Sequence, residues 1–175
     1  MQKGVKFFIS IFLLVLLLPA CTYKLSLNGT SIPPEMKTLR VDFFENNAAL
    51  VVNTLSTTFT EALKTRIRNN SRLSIVRGEA DAVMSGSITD YSIAPISVQS
   101  TTGNVAPIAS GSRLTITVSV KYVSNLKNGK KDNFEQTFSK FADFKGDING
   151  QEPQLITQIT KDLTEDIFNK AFSNW

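Results

Sequence analysis

Residues 113–123 alternate without a break. Leu114, Ile116, Val118, Val120 and Tyr122 take one side, and Arg113, Thr115, Thr117, Ser119 and Lys121 take the other. A period of two marks an extended strand, because successive side chains point to opposite faces. A row of large apolar groups on one face needs a covering layer, while the polar face needs none. The chain is therefore committed to a sheet with one dry side and one wet side.

Two segments with helical period supply the cover. Over residues 50–69, Val52, Leu55, Phe59, Ala62, Leu63 and Ile67 form one apolar stripe, with Arg66 and Arg68 in the last turn where the helix dipole favours cations. Its many threonines are poor helix formers, so packing must hold it. Over residues 153–172 the stripe is Ile156, Ile159, Leu163, Ile167 and Ala171, and Pro153 suits a first helical position. Further strands are expected at 38–44, with Leu39, Val41 and Phe43 inward, at 72–77, at 82–93 with Gly86 as a bulge candidate, and at 132–144. The expected fold is α+β: a two-layer sandwich with a mostly antiparallel sheet of about four to five strands and two amphipathic helices on one face.

The hydrophobic pattern also selects a register. A two-residue turn at Asn128-Gly129 would pair Val123 with Phe134 and send Phe134 and Phe138 to the wet face. A three-residue loop, Lys127-Asn128-Gly129, instead sets Tyr122 opposite Phe134 and Val118 opposite Phe138, with Gly129 at the position that needs a positive φ. The second register keeps one core. Beyond the other end of the strand, residues 92–112 contain no charged residue. With Pro95, Pro107 and a Gly103-Asn104 reversal signal, this stretch reads as a loose hairpin extension ordered by a partner.

The N-terminus has an export pattern. Lys3 and Lys6 precede an apolar run over residues 7–18 that is too short to span a bilayer, and the run ends at Leu18-Pro19-Ala20-Cys21. This resembles the lipobox of bacterial lipoproteins, in which the cysteine is acylated and becomes the first mature residue. The division expected is a signal peptide over 1–20, a lipidated leader over 21–37 carrying Asn28-Gly29 and Pro33-Pro34, and one domain over 38–175. Cys21 is the only cysteine, so the fold must rest on burial without a disulfide. Without Lys3 and Lys6 there are 17 basic residues against 15 acidic ones, a balance that does not point to nucleic acid.

The chain contains no histidine. That removes the commonest general base and the commonest zinc ligand, and with no free thiol after acylation no Ser/His or Cys/His nucleophile can be assembled. No glycine-rich phosphate loop opens a helix. A metal site built only from aspartates, such as Asp143 with Asp147, is a minor alternative, and no metal or cofactor is expected. A non-enzymatic role is expected. Two features rise above packing. The first is the hydroxyl-rich face of 113–123, where Arg113 and Lys121 lie about 26 Å apart at roughly 3.3 Å per residue. Lys127, Lys130 and Lys131 crowd the adjoining turn, and the set is a candidate surface for lipopolysaccharide, the alternative being a solvated face with lysines that blunt aggregation. The second is Phe168, Phe172 and Trp175, a candidate partner contact whose alternative is core packing.

Several stretches carry a resemblance. The leader Cys21-Thr22-Tyr23, residues 29–37 (GTSIPPEMK), Phe59-Thr60-Glu61-Ala62-Leu63-Lys64, Arg113-Leu114-Thr115-Ile116-Thr117-Val118 and the ending 165–175 (EDIFNKAFSNW) resemble, in that order, the LptE family of lipopolysaccharide-assembly lipoproteins in its Bacteroidota form. The resemblance implies a small α+β lipoprotein on the periplasmic side of the outer membrane. It implies a plug inside the LptD-type β-barrel translocon that assists barrel assembly and binds lipopolysaccharide in transit. A non-enzymatic outer-membrane lipoprotein of another envelope-assembly complex shares fold and anchor and stays open as the alternative.

Overall fold

A computed structural model of the chain describes residues 32–97, 109–127 and 132–173. Among these the elements run β1 (Thr38–Val41), β2 (Glu45–Asn46), α1 (Leu55–Asn70), β3 (Ser74–Val76), β4 (Ala82–Ser97), β5 (Ala109–Ser124), β6 (Phe134–Phe144) and α2 (Glu152–Phe172). The sheet order is β3-β1-β4-β5-β6, with β2 also paired to β4. β1 lies parallel to β3 and β4, and β2 is parallel to β4. The long β4-β5-β6 meander is antiparallel. The α+β fold with its mostly antiparallel sheet is as expected, and the strand count of six among the described residues exceeds the expected four to five because β2 is a separate two-residue piece.

The split between β1 and β2 has a local cause. Val41 aligns with Met84 and Glu45 with Ser87, so β1–β2 spends four steps where β4 spends three. One extra residue inverts the alternation. Phe43, expected in the core, is therefore 56 % exposed, and Phe44 is fully buried in its place. The Phe44 amide, lost to the ladder, donates to Thr60 Oγ1 at 3.1 Å, which explains a hydroxyl on the buried side of α1.

Gly86 is not the bulge in β4. The ladder with β5 shifts between Ile88 and Asp90 and again between Ile96 and Ser97. At Gly86 the sheet needs room: a Cβ there would collide with the Ser119 carbonyl and lie 2.6 Å from Phe44 Cε1. The charge-free stretch continues the ladder at both ends, as far as Ser97 opposite Ala109. Residues 98–108, and with them the Gly103-Asn104 reversal, lie outside the described residues.

Tyr122 stands opposite Phe134 and Val118 opposite Phe138, the register chosen by the hydrophobic pattern. The tight loop expected after it is not what ends the ladder. β5 stops at Ser124, whose amide donates to Asn133 Oδ1 at 2.7 Å, so a side chain caps the strand before Lys127. Gly129 lies outside the described residues.

Leu114, Ile116, Val118 and Val120 are fully buried, beneath Leu55, Phe59, Leu63 and Ile67 of α1 and Ile159, Leu163 and Ile167 of α2. Each such side chain contributes about 1.5–3 kcal/mol of burial. α1 begins at Leu55, five residues after the start expected from periodicity, which leaves Leu50 and Val51 exposed. α2 begins at Glu152, one residue before Pro153. Tyr91 of β4 donates to Glu152 Oε1 at 2.6 Å and ties the helix start to the sheet; burial, then this partner, pushes the Tyr91 hydroxyl up.

Asp81 fastens the opposite end. Its Oδ2 accepts from the amides of Lys37 and Thr38 and from Thr38 Oγ1, each at 2.9 Å, and its own amide donates back to Thr38 Oγ1 at 3.0 Å. These bonds, the Lys37 amide first, hold the carboxyl below its ordinary range.

Candidate functional site

Both helices cover one face of the sheet, and the other face of β5–β6 is the hydroxyl-rich surface singled out above. Its register decides its chemistry. Arg113 lies opposite Asp143, Thr117 opposite Ser139 and Lys121 opposite Glu135. Each rung closes on itself, as opposite side chains on one sheet face do. Arg113 Nε and Nη2 meet the two Asp143 oxygens at 2.7 and 3.1 Å, and the guanidinium lies 3.6 Å from the centre of the Phe141 ring. Thr117 Oγ1 and Ser139 Oγ are 3.0 Å apart, and Lys121 Nζ is 3.4 Å from Glu135 Oε2. The hydrogen bond from Arg113, then its charge, depresses the Asp143 carboxyl, and the same bond raises the guanidinium.

The two cations at the ends of this face are thus neutralised by acids that the sequence reading did not pair with them. The signal was present, because the register that puts Tyr122 opposite Phe134 also puts Arg113 opposite Asp143 and Lys121 opposite Glu135. Lys127 is exposed and has no acid partner among the described residues. Lys130 and Lys131 lie outside those residues, as does Cys21.

At the lower end of the sheet the aromatic residues gather. Tyr122 stacks on Phe134 with ring centres 5.7 Å apart and meets the edge of Phe172 at 5.8 Å, and Phe172 packs on Phe168 at 5.3 Å. Phe168 and Phe172 are 6 % and 2 % exposed, so their surface is spent on the core; Trp175 lies outside the described residues. A cleft of about 330 Å³ opens here between Pro33, Met36, Asn133, Phe134 and Lys170. Tyr122 Oη donates to Met36 Sδ at 3.4 Å, and burial, then the Asp132 charge, pushes this phenol up to about 12.

A second concavity, of about 510 Å³, lies where the short β3 ends, with Arg40, Phe43, Lys64, Arg68 and Arg77 around it. Two of its cations are held internally, Arg40 by Asp42 at 2.9 Å and Lys64 by Glu61 at 2.8 Å. The sequence reading did not find this group, because Phe43 reaches it only through the extra residue in β1–β2.

Among the described residues there is no group of three or more His, Cys, Asp or Glu placed to hold a metal. Asp143 is engaged by Arg113, and Asp147 accepts from the Asn149 amide and side chain at 3.2 and 3.0 Å, so the all-carboxylate pair is occupied by protein donors. No helix among the described residues is long and apolar enough to cross a membrane.

No curated protein matches the sequence. Solved structures are similar to this chain. A hypothetical protein from Chlamydia trachomatis is 10 % identical and aligns over 77 % of this chain and 95 % of its own at a TM-score of 0.53. A minor lipoprotein from Acinetobacter baumannii is 17 % identical over 79 % and 97 % of the two chains, with a TM-score of 0.49. The rare lipoprotein B from Shewanella oneidensis is 16 % identical over 76 % and 92 %, with a TM-score of 0.46. The family model described as LptE, lipopolysaccharide-assembly, matches residues 36–171, from just before β1 to the last turn of α2. With the match spanning the whole described sheet and both helices, this chain belongs to the LptE family of lipopolysaccharide-assembly proteins.

Proposed function

We propose that the protein is an outer-membrane lipoprotein, acylated at Cys21 and held on the periplasmic side, that seats in an LptD-type β-barrel, assists its assembly and contacts lipopolysaccharide. The observation that carries this reading is the family match over residues 36–171. The bare outer face of β5–β6 agrees with it. Its rungs are hydroxyls, closed ion pairs and the half-exposed Phe141 opposite Thr115, so the face can lie against a polar wall or a sugar without burying an unpaired charge. Lipopolysaccharide phosphates would meet Arg113 and Lys121 by exchange with Asp143 and Glu135, and would meet Lys127, Lys130 and Lys131 on the adjoining turn. Phe168 and Phe172 would act on a partner through the helix end that they pack, with Trp175 beyond it.

Purification of the native protein from detergent-solubilised membranes, with identification of the barrel that accompanies it, tests this. Recovery of an LptD-type barrel is expected. Recovery of a different envelope complex in its place would overturn the assignment and favour the other assembly role.

A further inference from the structure

The concavity where β3 ends carries more positive charge than its own acids balance. Its wall holds four cations, Arg40 of β1, Lys64 and Arg68 of α1 and Arg77 just past β3, against two acids, Asp42 and Glu61. Each acid is taken by one cation, Asp42 by Arg40 at 2.9 Å and Glu61 by Lys64 at 2.8 Å. The Lys64 hydrogen bond, then the charges of Lys64 and Arg68, hold the Glu61 carboxyl below its ordinary range. Arg68 and Arg77 are exposed and form no ion pair with any described residue.

Local structure brings this set together. Glu61, Lys64 and Arg68, spaced i, i+3, i+7, share one flank of α1. β3 pairs Val76 with Arg40 and stops, so Arg77 leaves the ladder beside β1. Phe43, turned outward by the extra residue in β1–β2, adds a half-exposed ring, and the partly buried Ile75 and Val76 lie in the same wall. An aromatic ring beside guanidinium groups is the composition that anchors protein contacts.

The charge arrangement selects the occupant. A compact dianion such as phosphate is held best by converging cations, and here Asp42 and Glu61 stand among them. Two single charges on different elements, with apolar side chains in the same wall, suit carboxylates spaced along a chain. We propose that this concavity binds an acidic, extended segment of a partner protein. Two of its carboxylates meet Arg68 and Arg77, and an apolar side chain between them packs on Phe43. A volume of about 510 Å³ takes a short stretch of chain and not a folded domain. β3 lies at the opposite edge of the sheet from β6, so this site is separate from the β5–β6 face and does not rest on the function proposed above.

Titration of the full processed chain in detergent, followed by amide chemical shifts at constant ionic strength, tests it. The probes are two acetylated, amidated peptides, Glu-Phe-Glu-Phe-Glu and Lys-Phe-Lys-Phe-Lys. Saturable shifts at residues 40–43, 64–68 and 75–77 are expected with the acidic peptide alone. Arg68→Gln combined with Arg77→Gln should weaken its binding about tenfold, the loss of two exposed ion pairs. Lys161→Gln, on the exposed side of α2, should leave it unchanged. No shift at those residues overturns the proposal, as does an equal response to both peptides or unchanged binding in the double variant. Inorganic phosphate giving the same saturable shifts at equal concentration also overturns it, in favour of a site for free phosphate or a lipid headgroup. Should the double variant unfold, the parent decides alone: preference for the acidic peptide at these residues supports the proposal, and its absence overturns it.

Discussion

The ring of Phe44 fills the space that a side chain on Gly86 would need, with Cε1 2.6 Å from the position of a Cβ there. The pair joins the broken first strand to the centre of the sheet. The ring also packs edge-on against Phe59 of α1, centres 5.1 Å apart. Gly86→Ala is therefore expected to destabilise by about 1–3 kcal/mol, the usual cost of overpacking. Phe44→Leu should recover part of this loss, since it removes the ring but not the Ser119 carbonyl. Urea unfolding of the single and double variants measures both, and an unchanged midpoint for Gly86→Ala would contradict the contact.

Asp81 gives the stability a pH dependence of known sign. Its folded pKa lies below the ordinary value because it accepts from Lys37 and Thr38. The stabilisation is complete above the unfolded pKa, near 3.9, and is lost as pH falls through the folded value. Asp81→Asn should be less stable at neutral pH and should show a shallower loss on acidification from about pH 6 to about pH 3. Parallel acid limbs for parent and variant would reject Asp81 as a source of that slope.

If the β5–β6 face meets lipopolysaccharide, Arg113 and Asp143 act in opposite directions. Arg113→Ala should lower the lipopolysaccharide retained on purification, and Asp143→Ala, by freeing the guanidinium, should keep or raise it. Both variants should melt close to the parent, because an exposed pair contributes little to stability. A drop in retention for Asp143→Ala as large as that for Arg113→Ala would count against this face.

Cys21→Ser is expected to abolish acylation, leaving the protein with its signal segment or free in the periplasm. Two acyl chains give stable attachment where one is marginal. Metabolic labelling with a fatty acid reads this directly, and a labelled, membrane-bound variant would refute the anchor.

Residues 99–106 lie outside the described residues, between Ser97 and Ala109, the last described pair of the β4–β5 hairpin. We read this uncharged tip as the part that enters the barrel lumen, where a charge would require a partner or water. Replacement of residues 99–106 by a short Gly-Ser linker should leave folding intact and reduce barrel recovery. Full recovery with a folded variant would assign the tip to solvent.

Much of the architecture was already legible in local pattern. The unbroken alternation of residues 113–123 determined a half-buried strand, the 3.6-residue stripes determined α1 and α2, and the need for one core determined that Tyr122 faces Phe134. These follow from which side chains avoid water, a property of each segment by itself. What only the tertiary structure decided is where two segments compete for one space. Phe43 and Phe44 are equally apolar neighbours, and the choice between them came from a hole over Gly86 and a spare acceptor on Thr60, both distant in sequence. In the same way, Arg113 and Lys121 carry charge in any conformation. Whether that charge is available depends on Asp143 and Glu135 across the ladder, because an ion pair is a property of the register and not of either strand alone.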